Sequence, residues 1–274
     1  MESAVSVSGL VKKYGDVHAV CGVDLEIRAG EVYAILGPNG AGKSSTVEIL
    51  EGHRDRDAGE VSVLGVDPRK PTRHWRARMG IVLQSARDLP EITVREAVRH
   101  FASFFHRPRN PDETMELVGL TEKADTRIPR LSGGQRRRLD VALAVVGDPE
   151  LLFLDEPTTG FDPEARQQFW GLIRGLAGTT VVLTTHYLDE AEALADRVAV
   201  IAGGRIVAEG DPRTLGGRAI AKATVSWADG EIQTDTPAKE VVELVTRYGG
   251  EVPELRVTRP TLEDVYLKLI EENA

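Results

Sequence analysis

An α/β fold on a mainly parallel sheet is what this sequence predicts, and three observations predict it. The runs VYAIL, LLFL and VVLTT have the length and composition of strands buried on both faces. Segments with helical patterning separate them, and strands alternating with helices imply parallel pairing through crossovers. The chain's 274 residues, 41% of them hydrophobic, suffice for one large domain, or for a medium and a small one.

Taken in order, the elements support that class. VSVSGL and VDLEIRAGEVYAILG alternate or run apolar between glycines, as strands do. The strand over residues 32–36 leads into GPNGAGKSS and a helix over residues 42–50, and GEVSVL is another short strand. Residues 90–124 turn helical: in ITVREAVRHFASFF, Val94, Val98, Phe101 and Phe105 recur at spacings of three and four. At LSGGQRRRL the Ser132/Gln135 pair forms a capping box opening a helix to about residue 146. Gly133, Gly134 and three arginines then occupy a first turn that favours neither. Then follow the strand LLFLDEP, a helix after Pro163, the strand TTVVLTTH, the helix LDEAEALAD and a hairpin RVAVIAGGRIVAEG. A boundary near residues 214–218 separates off a small α+β tail. Its strand IAKATVSW precedes a helix expected to turn Val241, Val242, Val245 and Tyr248 inward. The strand PELRV and a last helix capped by Thr261 and Asp264 complete it.

Composition excludes several function classes. A formal net charge of −9 gives no basic field for nucleic acid. The single cysteine, Cys21, rules out an intrachain disulfide and fits a reducing compartment. The first residues lack the basic start and apolar run of a signal peptide, and no segment approaches a membrane span. Any spanning helices are therefore expected from another chain.

Three motifs carry chemistry. Gly37-Pro38-Asn39-Gly40-Ala41-Gly42-Lys43-Ser44 fits G-x-x-x-x-G-K-[ST], between a buried strand and a helix. In this loop glycines let consecutive N–H groups surround phosphate oxygens, Lys43 reaches the β/γ-phosphates and Ser44 ligates Mg²⁺. LLFLDEP delivers two carboxylates at a strand's C-terminal end, where doubly wound sheets bind ligands. Asp155 is expected to hold Mg²⁺ through water, and Glu156 to orient or deprotonate the attacking water. His186, one strand–helix unit later at the same sheet edge, is placed to meet a γ-phosphate. Gln84 leaves the strand GIVL and Tyr14 sits in a turn; alone, each reads as an ordinary polar or packing residue.

With GPNGAGKS, LSGGQ, LLFLDEP and TTH in that order, residues 5–212 resemble an ATP-binding-cassette (ABC) ATPase. The resemblance implies a P-loop NTPase of ABC type: a mixed sheet with a RecA-like core, an antiparallel β subdomain and a helical subdomain at about residues 86–146. The cassette would span residues 1–215 and the α+β extension residues 216–274. It also implies adenine stacking on Tyr14, phosphate contacts from Ser45, a Q-loop role with Mg²⁺ contact for Gln84, a D-loop at Asp162 and a switch role for His186. LPEITVREAVRHFA, TTGFDP and PTLEDVYLKL are similar to ATPase subunits of daunorubicin-resistance-type exporters.

That resemblance implies ATP and Mg²⁺ as ligands, two ATPase chains closing head to tail, and a separate multi-spanning permease that holds this cytoplasmic chain at the inner membrane face, its cytoplasmic helix docking on the segment after Gln84 that reaches residues 95–105. Ser132, Gly133, Gly134 and Gln135 would then face the γ-phosphate on the other subunit. Arg138 matches the family pattern, whereas Arg136 and Arg137 read as solvated. Export of a drug-like small molecule is the reading; an importer ATPase and a regulatory, non-transport ATPase are the alternatives.

Overall fold

A computed structural model describes residues 3–83, 91–176, 178–218 and 221–273. Its centre is a six-stranded sheet in the order β5-β6-β7-β3-β8-β9. These strands are β3 (Val32–Leu36), β5 (Met79–Val82), β6 (Leu151–Asp155), β7 (Thr180–Thr185), β8 (Arg197–Ala202) and β9 (Arg205–Gly210). All pair in parallel except β9, which returns antiparallel along β8 through a tight hairpin.

Both faces of this sheet are covered, which is why its strands are continuously apolar. Tyr33, Ile35 and Phe153 point to one side. There they meet a second, antiparallel sheet of β1 (Ser3–Tyr14), β2 (Val17–Arg28) and β4 (Ala58–Val63), ordered β2-β1-β4. Alternation along β2 sends Val23, Leu25 and Ile27 inward, Val20 joins them across a register shift at Gly22, and α1 (Lys43–Leu50) adds Val47, Ile49 and Leu50 to the same core.

Ala34, Leu36, Leu152 and Leu154 point to the other side, into a core shared with the helices. α2 (Arg73–Ala77) precedes β5. The helical insert contains α3 (Val94–Ala102), α4 (Pro111–Leu117) and α5 (Gly133–Val145). α3 starts at a Thr93/Glu96 capping box and buries Val94 and Val98, with Phe101 and Phe105 packed alongside. A side chain at Gly147 would sit 2.4 Å from the Phe105 ring, so that glycine makes room for it. α6 (Pro163–Arg174) and α7 (Leu188–Leu194) bracket β7 in sequence.

The tail is built from β10 (Ala223–Trp227), β11 (Gly230–Thr234), α8 (Pro237–Tyr248), β12 (Arg256–Thr258) and α9 (Leu262–Glu272). β11-β10-β12 form an antiparallel sheet covered by α8 around Val225, Leu244 and Val252. The expected inward face of α8 needs correction. Leu244 is buried, with Val241 and Tyr248 beside it, while Val242 is 65% and Val245 40% exposed. A three-stranded sheet covers only a narrow arc of a helix, and positions 241, 244 and 248 fall within about 60° of one another at 3.6 residues per turn. α9 leaves this small sheet and packs back on the main body, burying Leu262 in the large core beside α7 and β8.

Candidate functional site

The strand order places three loaded strand ends side by side. β3 lies next to β7 with Leu36 opposite Thr185, and β7 lies next to β6 with Thr184 opposite Asp155. The loop after Leu36, the Asp155–Glu156 pair and His186 therefore emerge at one sheet edge from positions about 150 residues apart. Ligands bind beyond such C-terminal strand ends. A cleft of about 630 Å³ opens there, lined among others by Asn39, Gly40, Lys43, Ser44, Glu156 and His186.

The 37–44 loop is shaped by glycines that the surrounding backbone requires. A side chain at Gly37 would come 2.4 Å from the Ile201 carbonyl. One at Gly42, where φ is 104°, would come 2.3 Å from that of Ala19. Gly42 precedes α1 without a capping side chain, leaving the first-turn amides to face the cleft. The buried Lys43 donates from Nζ to the carbonyls of Gly37 (2.7 Å) and Pro38 (3.1 Å). Burial lowers its pKa, and the Glu156 and Asp155 charges oppose that shift.

On β6, Asp155 Oδ1 accepts a hydrogen bond from the Thr184 hydroxyl. Glu156 follows at φ 43°, a left-handed conformation that costs a non-glycine residue roughly 1–3 kcal/mol. Its backbone N–H is held by the Thr184 carbonyl at 3.0 Å. Its Oε1 lies 3.4 Å from His186 Nδ1, and its Oε2 accepts from Thr159 Oγ1 at 3.3 Å. The His186 ring rests 4.1 Å from that of Tyr187, which carries the Arg166 guanidinium 4.5 Å from its centroid. Tyr14, 40% exposed, meets Ser45 Oγ through its hydroxyl at 3.1 Å, with Arg54 5.2 Å from its ring centre.

The remaining sequence-predicted residues lie elsewhere. Ser132 Oγ accepts from the Gln135 N–H (3.2 Å), and Gln135 Oε1 accepts from the Ser132 N–H (3.0 Å), completing the capping box. Gly133 and Gly134 line a separate cavity of about 260 Å³ that also touches Glu156. A side chain at either glycine would meet no described atom within 4 Å. Asp162 caps α6, accepting from the Ala165 N–H at 2.8 Å. Gln84 lies outside the described residues, although β5 ends at Val82 beside Leu154 of β6.

The arginines need a second correction. Arg137 is not solvated but 7% exposed, donating to the carbonyls of Leu83, Asp155 (2.8 Å) and Pro157 (3.0 Å). Arg136 reaches the Ile128 carbonyl at 3.3 Å. The overlooked signal was spacing: Arg137, Val141 and Val145 recur every four residues, and all three are buried.

ATP fits this edge. A glycine cradle that side chains would fill, open helix amides and a lysine form a phosphate site. The Ser44 hydroxyl and Asp155 carboxylate supply hard oxygen donors suited to Mg²⁺, which takes one or two protein ligands plus phosphates and water.

Fold and site together define a phosphate-binding ATPase. The chain belongs to the ABC transporter family, whose model matches residues 20–159, and it is the ATP-binding, ATP-hydrolysing type of subunit. Nod factor export ATP-binding protein I of Burkholderia orbicola (strain AU 1054) is 43% identical over 211 residues, covering 74% of this chain and 69% of that protein. Daunorubicin resistance ATP-binding protein DrrA3 of Streptomyces coeruleorubidus is 36% identical, covering 98% of this chain and 96% of that one. The solved structure of cbiO1 from Clostridium perfringens, part of the ABC transporter complex cbiONQ, is 30% identical with a TM-score of 0.71. It covers 78% of this chain and 90% of its own. No helix among the described residues is long and apolar enough to cross a membrane.

Proposed function

We propose that two copies of this chain close head to tail around two ATP–Mg²⁺ and drive export of a small molecule through a separate membrane permease. The observation that carries the dimer is the contrast between glycines. Gly37 and Gly42 are required by backbone packed against them, whereas Gly133 and Gly134 have open space around them. Nothing described within the chain explains two glycines at a helix start; close approach of a second chain's nucleotide does.

Within each site Lys43 and the loop amides hold the phosphates, Ser44, Asp155 and Gln84 hold Mg²⁺, and Tyr14 stacks on the adenine beside Ser45. Bound Mg²⁺ neutralises charge on the β- and γ-phosphate oxygens. Glu156, 3.4 Å from His186, orients water and accepts its proton, while His186 contacts the γ-phosphate. Ser132, Gly133, Gly134 and Gln135 close on the partner's γ-phosphate, and Asp162 lies at the start of α6 near that junction. The export direction is supported by the relatives named above, and the helical insert near residues 95–105 is the proposed permease seat at the inner membrane face.

Glu156→Gln traps an ATP-bound dimer on a sizing column; elution as a monomer with ATP would sink the sandwich. Lys43→Ala abolishes ATP binding or turnover, and retained turnover refutes its role. Co-purification with a multi-spanning membrane protein separates transport from a purely regulatory ATPase.

A further inference from the structure

Arg137 is a buried charge that the phosphate chemistry leaves unused. A guanidinium taken out of water must recover hydrogen bonds inside the protein. Here the acceptors are the main-chain carbonyls of Leu83, Asp155 and Pro157. Because the donors form a rigid planar fork, carbonyls bound to it are held at fixed mutual positions. Two of the three flank Glu156, the residue at φ 43°. The same turn is tied from the far side, where Thr158 Oγ1 donates to the fully buried Glu190 of α7 at 2.8 Å. Glu190 is fixed in turn by Trp170 Nε1 of α6 at 3.3 Å. Asp140, Asp155 and Glu190 supply the negative field that offsets the burial of Arg137. The Glu156 turn is therefore gripped between α5 and α7, and the α5 grip is a single side chain five residues after Ser132.

We infer that Arg137 is a positioning residue that aims the Glu156 carboxylate of its own chain according to the tilt of the helix opening at Ser132. This rests on the dimer reading, in which that helix start meets the nucleotide held by the partner. Engagement of the partner's nucleotide moves α5, and through Arg137 the carbonyls on either side of Glu156 move with it. One side chain thus links the two hydrolytic sites: the motif serving one nucleotide and the carboxylate serving the other are joined in the same chain.

The test uses the full chain carrying Arg137→Ala, Arg137→Gln or Arg137→Lys. Each is first checked for wild-type retention on a sizing column. A displaced catalytic carboxylate lowers kcat by about 10- to 100-fold. Affinity for a fluorescent ATP analogue stays within about twofold, because the phosphate loop is untouched. The Hill coefficient for ATP falls, and Arg137→Lys recovers only part of kcat, since one ammonium cannot span three carbonyls. Mixed dimers of differently tagged chains then separate this role from general damage. With Arg137→Ala and Glu156→Gln on different chains, the one competent Glu156 lacks its arginine. With both on the same chain, the competent Glu156 keeps it. The first mixture is expected to be about 10-fold slower or more. Equal rates in the two mixtures, or wild-type kcat in a folded Arg137→Ala protein, overturn the inference alone. A wild-type chain that never dimerises with ATP overturns the dimer reading and this inference together. Should Arg137→Ala fail to fold, Arg137→Lys replaces it in the mixed dimers, with the same two outcomes.

Discussion

Replacing Gly134 by alanine should make the isolated chain more stable and the enzyme slower. Gly134 lies in the first turn of α5, with helical backbone and no described atom within 4 Å of the position a Cβ would take. Alanine is favoured over glycine in a helix by roughly 0.5–1 kcal/mol. With no clash to offset it, most of that gain should appear as stability, a rise of about 2 °C in Tm for a chain of this size. Gly42→Ala makes the opposite change: φ 104° and a carbonyl 2.3 Å from the new methyl should cost about 2 kcal/mol or more. Paired measurements decide it: thermal unfolding of the nucleotide-free chain, and ATPase rate at saturating ATP. Gly134→Ala should raise Tm while cutting the rate by about 10-fold or more, because in the proposed dimer the methyl would stand where the partner's phosphate approaches. A Gly134→Ala protein both stabilised and fully active would refute the account of these glycines, as would one destabilised like Gly42→Ala.

Two further outcomes follow from the structure. Glu51 is 5% exposed, and burial, reinforced by the Asp155 and Glu48 charges, pushes its carboxyl from 4.5 up to about 8. A raised carboxyl keeps its proton in the folded state while the unfolded chain has lost it, so stability should fall as pH rises from 4.5 to 8. Linkage bounds that loss at about 4–5 kcal/mol; Glu51→Gln should flatten this part of the urea-unfolding profile, and an unchanged slope would rule Glu51 out. Thr261 caps α9, accepting from the Asp264 N–H at 3.2 Å while Asp264 accepts from Thr261 N–H at 2.7 Å. Thr261→Ala should cost about 1 kcal/mol and speed hydrogen exchange first in α9.

What was legible in the sequence was contiguous. Eight adjacent residues specify the phosphate loop, and the runs VYAIL, LLFL and VVLTT carry the sheet in their composition. The capping boxes at Ser132 and Thr261 were readable because each is a four-residue rule. What was hidden depends on register and burial. The approach of His186 to Glu156 follows from Thr184 pairing with Asp155 across β7 and β6, which no local pattern prints. Arg137 looked solvated because its acceptors lie 54, 18 and 20 residues away and are carbonyls, which any residue supplies. The burial of Glu51 and Glu190 is likewise invisible in the sequence, since a buried carboxylate and an exposed one share the same letter. On α8 only Val241 and Tyr248 of the four expected positions pack inward, beside Leu244, because the width of its sheet decides which apolar residues are covered.

The return of α9 to the main body changes what the chain's end is for. The small sheet and α8 hang between two moorings: the Leu215–Gly217 turn, where a side chain at Gly216 would strike Val265 of α9 at 2.5 Å, and α9 itself. Trimming from the C-terminus therefore does not shed an appendage. It first removes Ile270, Leu269 and Tyr266, which pack on the large core, and then Leu262 itself, on a helix that contacts α7, the helix that begins two residues after His186. Cleavage or truncation there would reach the large core beside α7 and β8 before it reached the small sheet.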